Sequence, residues 1–147
     1  MGYKYLDNEN NKLSRKVLGD WIKNYSINNY GSEWNYCLGL SYRYNVKNLK
    51  WRNNVKGLIK NLYIKDNNLN GFIFNEYDLN FQNIHHHLII KSDLIKDEIT
   101  KIVNKNWNKK GLFDLMIYDK DLFYCNYITK HYNKDEENEF NLILDLI

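Results

Sequence analysis

The reactive side chains of this chain are concentrated in two short runs, Ile84-His85-His86-His87-Leu88-Ile89-Ile90 and, forty residues on, Tyr127-Ile128-Thr129-Lys130. In an extended strand side chains alternate, so His85, His87 and Ile89 share one face while Ile84, His86, Leu88 and Ile90 share the other. Two imidazoles on one face are a metal-ligand pair. A carboxylate added to them makes a three-ligand set that leaves positions open for water and a phosphate oxygen. Glu76, on the preceding strand, is the expected carboxylate, with Asp78 taking its place if a bulge or slip shifts the pairing. Nitrogen and oxygen ligands without thiolate suit manganese or magnesium in a phosphate-handling site, and they also admit zinc. His86 is expected to face the helices as a core residue.

A free phenol has a pKa of ~10 and is a poor nucleophile near neutrality unless a cation favours the phenolate. On a helix, Tyr127 and Lys130 are three apart and therefore neighbours on one surface, which puts a cation beside a candidate nucleophile. Together the two runs point to metal-assisted cleavage of a phosphodiester by tyrosine. With 13 tyrosines in the chain a Y-x-x-K spacing arises easily by chance, and Tyr118, Tyr124 and Tyr132 are rivals. The order of the surrounding elements therefore carries the argument.

Those elements follow from periodicity. Val17, Leu18, Trp21, Ile22 and Tyr25 predict a short amphipathic helix over residues 13–25. Over 34–44 the alternation predicts a strand with Trp34, Tyr36, Leu38, Leu40, Tyr42 and Tyr44 on a helix-covered face. Its other face, Asn35, Cys37, Gly39, Ser41 and Arg43, is expected to lie open to a ligand. Trp51, Val55, Leu58, Ile59 and Leu62 predict a helix within 46–65. Residues 72–77 read as a second strand, joined to the histidine strand by a hairpin closing over 80–83. Ser92 or Asp93 is expected to cap a helix carrying Leu94, Ile95, Ile99, Ile102, Val103 and Trp107. Residues 112–118 read as a fourth strand. Asp119 or Asp121 is expected to cap a last helix holding Leu122, Phe123, Tyr127 and Lys130. Asp135, Glu136, Glu137 and Glu139 mark a solvated stretch, and 140–147 is apolar again, either a short helix docking on the core or the remnant of a longer chain.

The 147 residues fit one domain over 1–147, long enough to bury roughly two thirds of its unfolded surface. At 44% hydrophobic and 16% aromatic the composition argues for a packed globule and against disorder. The formal charge of +3 is too mild to argue for nucleic acid by itself. Two cysteines, Cys37 and Cys125, exclude a zinc framework and a disulfide scaffold, and a reducing compartment is expected. The chain shows neither a signal pattern nor an apolar run near the ~20 residues that span a bilayer. An intracellular, soluble protein of cytoplasm, nucleoid or organelle with no membrane partner is the expectation. No G-x-x-x-x-G-K-[ST] loop occurs among the seven glycines, so ATP hydrolysis is not expected.

In this order the motifs resemble those of the HUH endonuclease superfamily, and within it the single-tyrosine rolling-circle replication initiator (Rep) proteins of plasmids and small single-stranded DNA viruses. The matching stretches are Tyr36-Cys37-Leu38-Gly39-Leu40-Ser41, residues 84–90, and Tyr127-Ile128-Thr129-Lys130. The resemblance implies an α+β domain, a central antiparallel sheet of four to five strands flanked by helices in an RRM-like arrangement. It implies a divalent metal, Mn2+ or Mg2+, held by His85, His87 and Glu76, and a 5′-phosphotyrosine product with a free 3′-hydroxyl. Tyr127 is then the nucleophile, with Lys130 assisting. The implied function is sequence-specific nicking and rejoining of single-stranded DNA at a replication origin, initiating rolling-circle-type replication. Two departures stand out: His86 replaces the usual bulky hydrophobe between the histidines, and no helicase domain is read after the motifs, so a separate helicase and polymerase are expected partners. Asn35, Ser41 and Arg43 on the open strand face, with Lys91, Lys109 and Lys110 at element ends, are the expected DNA contacts. The competing readings are a tyrosine transposase or mobilisation relaxase of the same superfamily, and a non-catalytic single-stranded nucleic-acid-binding module.

Overall fold

The computed structural model describes residues 9–46, 49–77, 83–122, 124–129 and 140–147, with the side chains of the first helix from Arg15 onward. The elements run α1 (Glu9–Tyr30), β1 (Tyr36–Leu40), α2 (Lys50–Lys65), β2 (Asn70–Tyr77), β3 (Ile84–Lys91), α3 (Lys96–Trp107), β4 (Phe113–Ile117), α4 (Tyr124–Ile128) and β5 (Phe140–Leu142). Two 3-10 turns, Lys120–Leu122 and Ile143–Leu146, flank the last two of these. All five strands pair antiparallel in the order β4-β1-β3-β2-β5, so the α+β sheet expected from the sequence is the one observed. Asp78, Phe123, Lys130, Tyr132 and the acidic residues of 135–139 lie outside the described residues, as does most of the hairpin closure expected over 80–83.

Each strand sends alternate residues to the two sides of the sheet, and each side is closed differently. On one side Leu38, Leu40, Ile73, Leu88, Ile90 and Leu115 meet Trp51, Val55, Leu58, Ile59 and Leu62 of α2 and Ile99, Val103 and Trp107 of α3. All five residues that the helical periodicity assigned to the α2 contact face are buried there. Each such aliphatic side chain contributes about 1.5–3 kcal/mol relative to exposure. On the other side Ile22 of α1 and Cys125 and Ile128 of α4 pack with Trp34, Phe72, Phe74 and Ile89, a smaller and largely aromatic cluster.

Several boundaries differ from the sequence expectation. The first helix reaches from Glu9 to Tyr30, well beyond 13–25 at both ends. β1 covers Tyr36–Leu40 only, and Trp34 leaves the alternation: its indole N–H donates to the Ile22 carbonyl at 2.9 Å, which turns it toward α1 instead of toward α2 and α3. Ser92 and Asp93 do not cap α3. Asp66 accepts from the Ser92 hydroxyl at 2.6 Å and from the Asp93 N–H at 2.8 Å, so this pair binds the start of the turn to the end of α2. The cap position is Ile95, whose N–H is taken by the Glu98 side chain at 3.3 Å. Among the described residues, the segment expected as one long final helix consists of the Lys120–Leu122 turn and the five-residue α4. Residues 140–147 form β5 followed by a short 3-10 helix that docks on the core through the fully buried Ile143, so the docking helix expected here is preceded by an edge strand. No helix among the described residues is long and apolar enough to cross a membrane.

Candidate functional site

The face of the sheet shared with α1 and α4 is sealed at one end and open at the other. Pairing registers give its rows. Asp114 of β4 lies opposite Gly39 of β1, Gly39 opposite His87 of β3, and His87 opposite Phe74 of β2. One row toward the strand end, His85 lies opposite Glu76. Phe74 stacks on Phe140 of β5 with ring centroids 5.2 Å apart, closing that half of the row with aromatic surface. The other half is an open cleft of about 540 Å³, bordered by His85, His87, Gly39, Ser41, Asp114 and the Tyr124 and Tyr127 rings of α4.

The three groups expected to bind a metal share this face of the sheet, His85 and His87 in the cleft and Glu76 on the adjoining strand β2. The Glu76 carboxylate accepts from His87 Nε2 at 2.8 Å, a diagonal contact, its direct cross-strand neighbour being His85. The two side chains are 17% and 24% exposed, so the pair is partly screened by solvent. His85 is exposed and lines the same cleft. The donor types fit a divalent cation, but the arrangement is closed on itself: Nε2 carries the proton that Glu76 receives, so capturing a cation there requires that proton to leave. Accordingly, no three His, Cys, Asp or Glu side chains among the described residues are grouped so as to hold a metal ion.

His86, one residue away, faces the opposite side, as alternation demands. Its Nδ1 is 2.7 Å from Asn75 Oδ1 and its Nε2 is 2.7 Å from Tyr42 Oη. Because an amide oxygen only accepts, Nδ1 carries the proton and Nε2 accepts from the Tyr42 hydroxyl. The ring is fully buried against Trp51 and Trp107. Burial first, then His87 and His85, hold its pKa down at about 3. It is a neutral structural imidazole.

The tyrosines separate by burial. Tyr127 is 49% exposed, and its ring stands edge-on to that of His87 with centroids 5.6 Å apart. Tyr124 faces inward, and its hydroxyl donates to the Leu88 carbonyl at 3.4 Å. Burial above all, with Cys37 and Tyr127 nearby, drives its pKa far above the usual phenol value. Burial likewise raises Tyr118, whose hydroxyl lies 3.8 Å from Cys125 Sγ. Both are poor sources of phenolate, which leaves Tyr127 as the described tyrosine suited to attack from the cleft.

α4 can present Tyr127 because it is short and tightly seated. Cys125 and Ile128 face the core three residues apart, which sends Tyr124 and Tyr127 toward the cleft. The Thr129 hydroxyl donates to the Cys125 carbonyl at 3.0 Å, and Gly19 of α1 lets Asn126 approach so closely that a Cβ there would collide with its side-chain oxygen.

The expected DNA contacts do not form one surface. Ser41 lines the cleft, its hydroxyl donating to the Leu112 carbonyl at 3.4 Å. Arg43 sits just past β1 at the cleft end, reaching the Asn108 carbonyl at 3.2 Å, and its N–H donates to the Lys110 carbonyl. Lys110 bonds the Asn106 carbonyl and lies over the Trp107 ring, toward the α2 and α3 side, and the exposed Lys109 precedes it. Asn35 and Lys91 are at the opposite end of the sheet from His85. There Asn35 accepts from the Ser92 N–H at 2.9 Å, and Lys91 is tied to Ser32 and the Glu33 carbonyl. Both are occupied in holding loops. Nor is the second face of β1 open throughout: Cys37 borders the cleft but is itself buried, and Gly39 and Ser41 continue the lining toward the open end. Sequence reasoning missed Asp114, whose place beside Gly39 depends on pairing between strands 75 residues apart, a register that no local pattern encodes.

No family model matches the chain, and no curated protein matches it. Among solved structures, the crystal structure of the hypothetical protein ORF119 from Sulfolobus islandicus rod-shaped virus 1 superposes with a TM-score of 0.54, covering 80% of this chain and 90% of that chain at 13% identity. At that identity the likeness is one of fold.

Proposed function

We propose that this protein is a metal-dependent nuclease and strand transferase of the HUH type, acting on single-stranded DNA through Tyr127 and serving rolling-circle-type replication of a small replicon. The observation that carries the reading is the meeting of His85, His87 and Tyr127 in one open cleft, with Glu76 bonded to His87 from the neighbouring strand. Tyr127 Oη attacks phosphorus and a tyrosyl O–P bond forms as the bond to the 3′ oxygen breaks. The phenolic proton passes to solvent or a cleft base, and the departing 3′ oxygen takes up a proton. The products are a 5′-phosphotyrosine and a 3′-hydroxyl, and reversal of the same step rejoins the strand. Mn2+ or Mg2+ held by His85, His87 and Glu76 would supply polarisation of a non-bridging phosphate oxygen. The cleft favours such a requirement: no lysine or arginine is among its described lining residues, while Asp114 and Asp119 are, so a phosphodiester entering without a cation meets net negative charge. Lys130, expected to assist, belongs to the same reading. Replicative helicase and polymerase would then be separate partners.

The test is direct. Incubated with Mn2+ and a pool of labelled single-stranded oligonucleotides that includes origin-bearing DNA, the protein should give a denaturation-resistant shifted band. Tyr127→Phe should abolish the band while leaving the circular dichroism spectrum unchanged, and EDTA should do the same. An undiminished band from Tyr127→Phe rejects the nucleophile. One observation favours a second reading, a non-catalytic single-stranded nucleic-acid-binding module: His87 Nε2 is already engaged by Glu76. That module binds equally with or without chelator and forms no covalent product.

A further inference from the structure

We infer that the cleft contains a nucleobase subsite in which Asp114 accepts a hydrogen bond from the exocyclic amino group of an unpaired base, a specificity element that rests on the nucleic-acid reading above. Asp114 projects from an edge strand in the same row as Gly39 and His87. Its carboxylate takes no hydrogen bond or salt bridge among the described residues. Gly39 leaves the floor between Asp114 and His87 bare: a Cβ built there meets only the Asp114 carbonyl, at 4.0 Å. A flat ring can therefore lie on backbone at this point, where any other residue would project a side chain.

The surroundings select what lies there. Along the same face of β4, Leu112 and Met116 flank Asp114 and are 64% and 43% exposed, and Leu122 rises beside them. Soluble proteins seldom leave several large apolar side chains together around one carboxylate on an open edge without a ligand for them. Apolar walls suit the faces of a planar ring, and an ionised carboxylate offers acceptors only, so the ring must bring a donor. A phosphate is disfavoured at this point by Asp114 and Asp119. Cytosine, adenine and guanine carry an exocyclic amino group, and aspartate is a known acceptor for that of cytosine. Thymine presents a carbonyl oxygen at the corresponding edge, which the carboxylate repels. The cleft volume of about 540 Å³ holds one nucleotide and falls in the ordinary range for small-ligand sites. Since Tyr127 forms the facing wall, the base read by Asp114 belongs to a nucleotide near the one that is cut.

The inference is tested by fluorescence anisotropy with the full chain and labelled dodecamers of dC, dA and dT, with Mn2+ and with EDTA. Wild-type protein should bind dC and dA about tenfold more tightly than dT, a ratio that persists in chelator even as the absolute affinities fall. Asp114→Asn should bring that ratio close to one, and Gly39→Leu, which fills the floor, should do so independently. A ratio unchanged by Asp114→Asn overturns the subsite, as does equal binding of all three by the wild type, or no binding at all. Chelator should weaken all three dodecamers alike, and a ratio that collapses in EDTA while binding persists also overturns it, because Asp114 would then act through a cation. The same dodecamers run on denaturing gels with Mn2+ separate this inference from the nuclease reading. Base discrimination without adduct upholds the subsite and rejects cleavage, whereas adduct without discrimination does the reverse.

Discussion

His86 and His87 are adjacent in the chain and have almost nothing else in common. His86 points into the layer between the sheet and helices α2 and α3, loses all contact with water, and spends both ring nitrogens on Asn75 and Tyr42. His87 points the other way, into a cleft, where it meets Glu76 on one side and the Tyr127 ring on the other. The two helices of the first side span 16 and 12 residues and bury a continuous aliphatic core. On the second side α1 packs with the five-residue α4, and among the described residues a cleft lies open beside α4 at the last rows of β1 and β3. One residue step along a strand therefore separates chemistry that stabilises from chemistry that is available to a ligand.

The sharpest way to break this comparison is to truncate each imidazole in turn. His86→Ala removes a buried ring and leaves the Tyr42 hydroxyl and the Asn75 amide without their partner, a combination that should cost about 2–5 kcal/mol. His87→Ala, at a partly solvated site, should cost about 1 kcal/mol or less, and should instead abolish the covalent product. Urea midpoints at neutral pH report the first difference and the adduct gel the second. Equal losses of stability would show that the two faces are not energetically distinct.

A smaller effect follows from protonation. The folded pKa of His86 is held at about 3, below its ordinary value near 6.5, because the charged ring would be desolvated. The unfolded chain therefore takes up a proton at His86 that the folded chain refuses. Its neutral form contributes fully to stability above about pH 6.5, and that contribution falls away as pH drops from 6.5 toward 3, on the order of 1 kcal/mol per pH unit. Between pH 7 and pH 5, before most carboxylates titrate, the urea midpoint of the wild type should fall more than that of His86→Phe. Parallel curves would place the charged ring in a solvated setting and remove the distinction between the two faces.

Both faces were readable from strand periodicity where they are built from local pattern. Alternation through 84–90 puts His86 with Leu88 and against Trp51, and His85 with His87, while the 3.6-residue repeat gives the five buried positions of α2. What could not be read depends on distant pairing or on competition between partners. Asp114 reaches the site only through β1, and Gly39 matters for a side chain it lacks. β5 is three residues long, too short to display a period, and is recruited by the Phe74 and Phe140 stack. Ser92 and Asp93 have the right chemistry for a cap, but Asp66, buried at the end of α2, engages them first. The bond from the Ser92 N–H to the Asn35 side-chain oxygen is likewise a tie between segments 57 residues apart that no local pattern displays.

The smallest change in stability should come from the contact that seats the short helix, and there the two kinds of effect are expected to diverge. Gly19 lies in the interior of α1, where alanine is favoured over glycine by about 1 kcal/mol. An added Cβ, however, runs into the Asn126 side-chain oxygen, and Asn126 precedes Tyr127 directly. An amide at the end of a side chain rotates aside cheaply, so Gly19→Ala should shift the urea midpoint little in either direction, gain and collision nearly offsetting one another. The α4 backbone is less accommodating, since Asn126 Cα would stand 3.4 Å from the new methyl while Cys125 and Ile128 remain fixed in the core. Displacing α4 outward by a fraction of an ångström moves the Tyr127 phenol relative to His87, and misplacement on that scale is sufficient to slow an aligned displacement severalfold to a hundredfold. A variant with wild-type stability and slowed single-turnover adduct formation is the expected result. A variant whose adduct rate matches the wild type would mean that the exposed face tolerates movement in its covering helix, and that the position of Tyr127 is set from within the cleft.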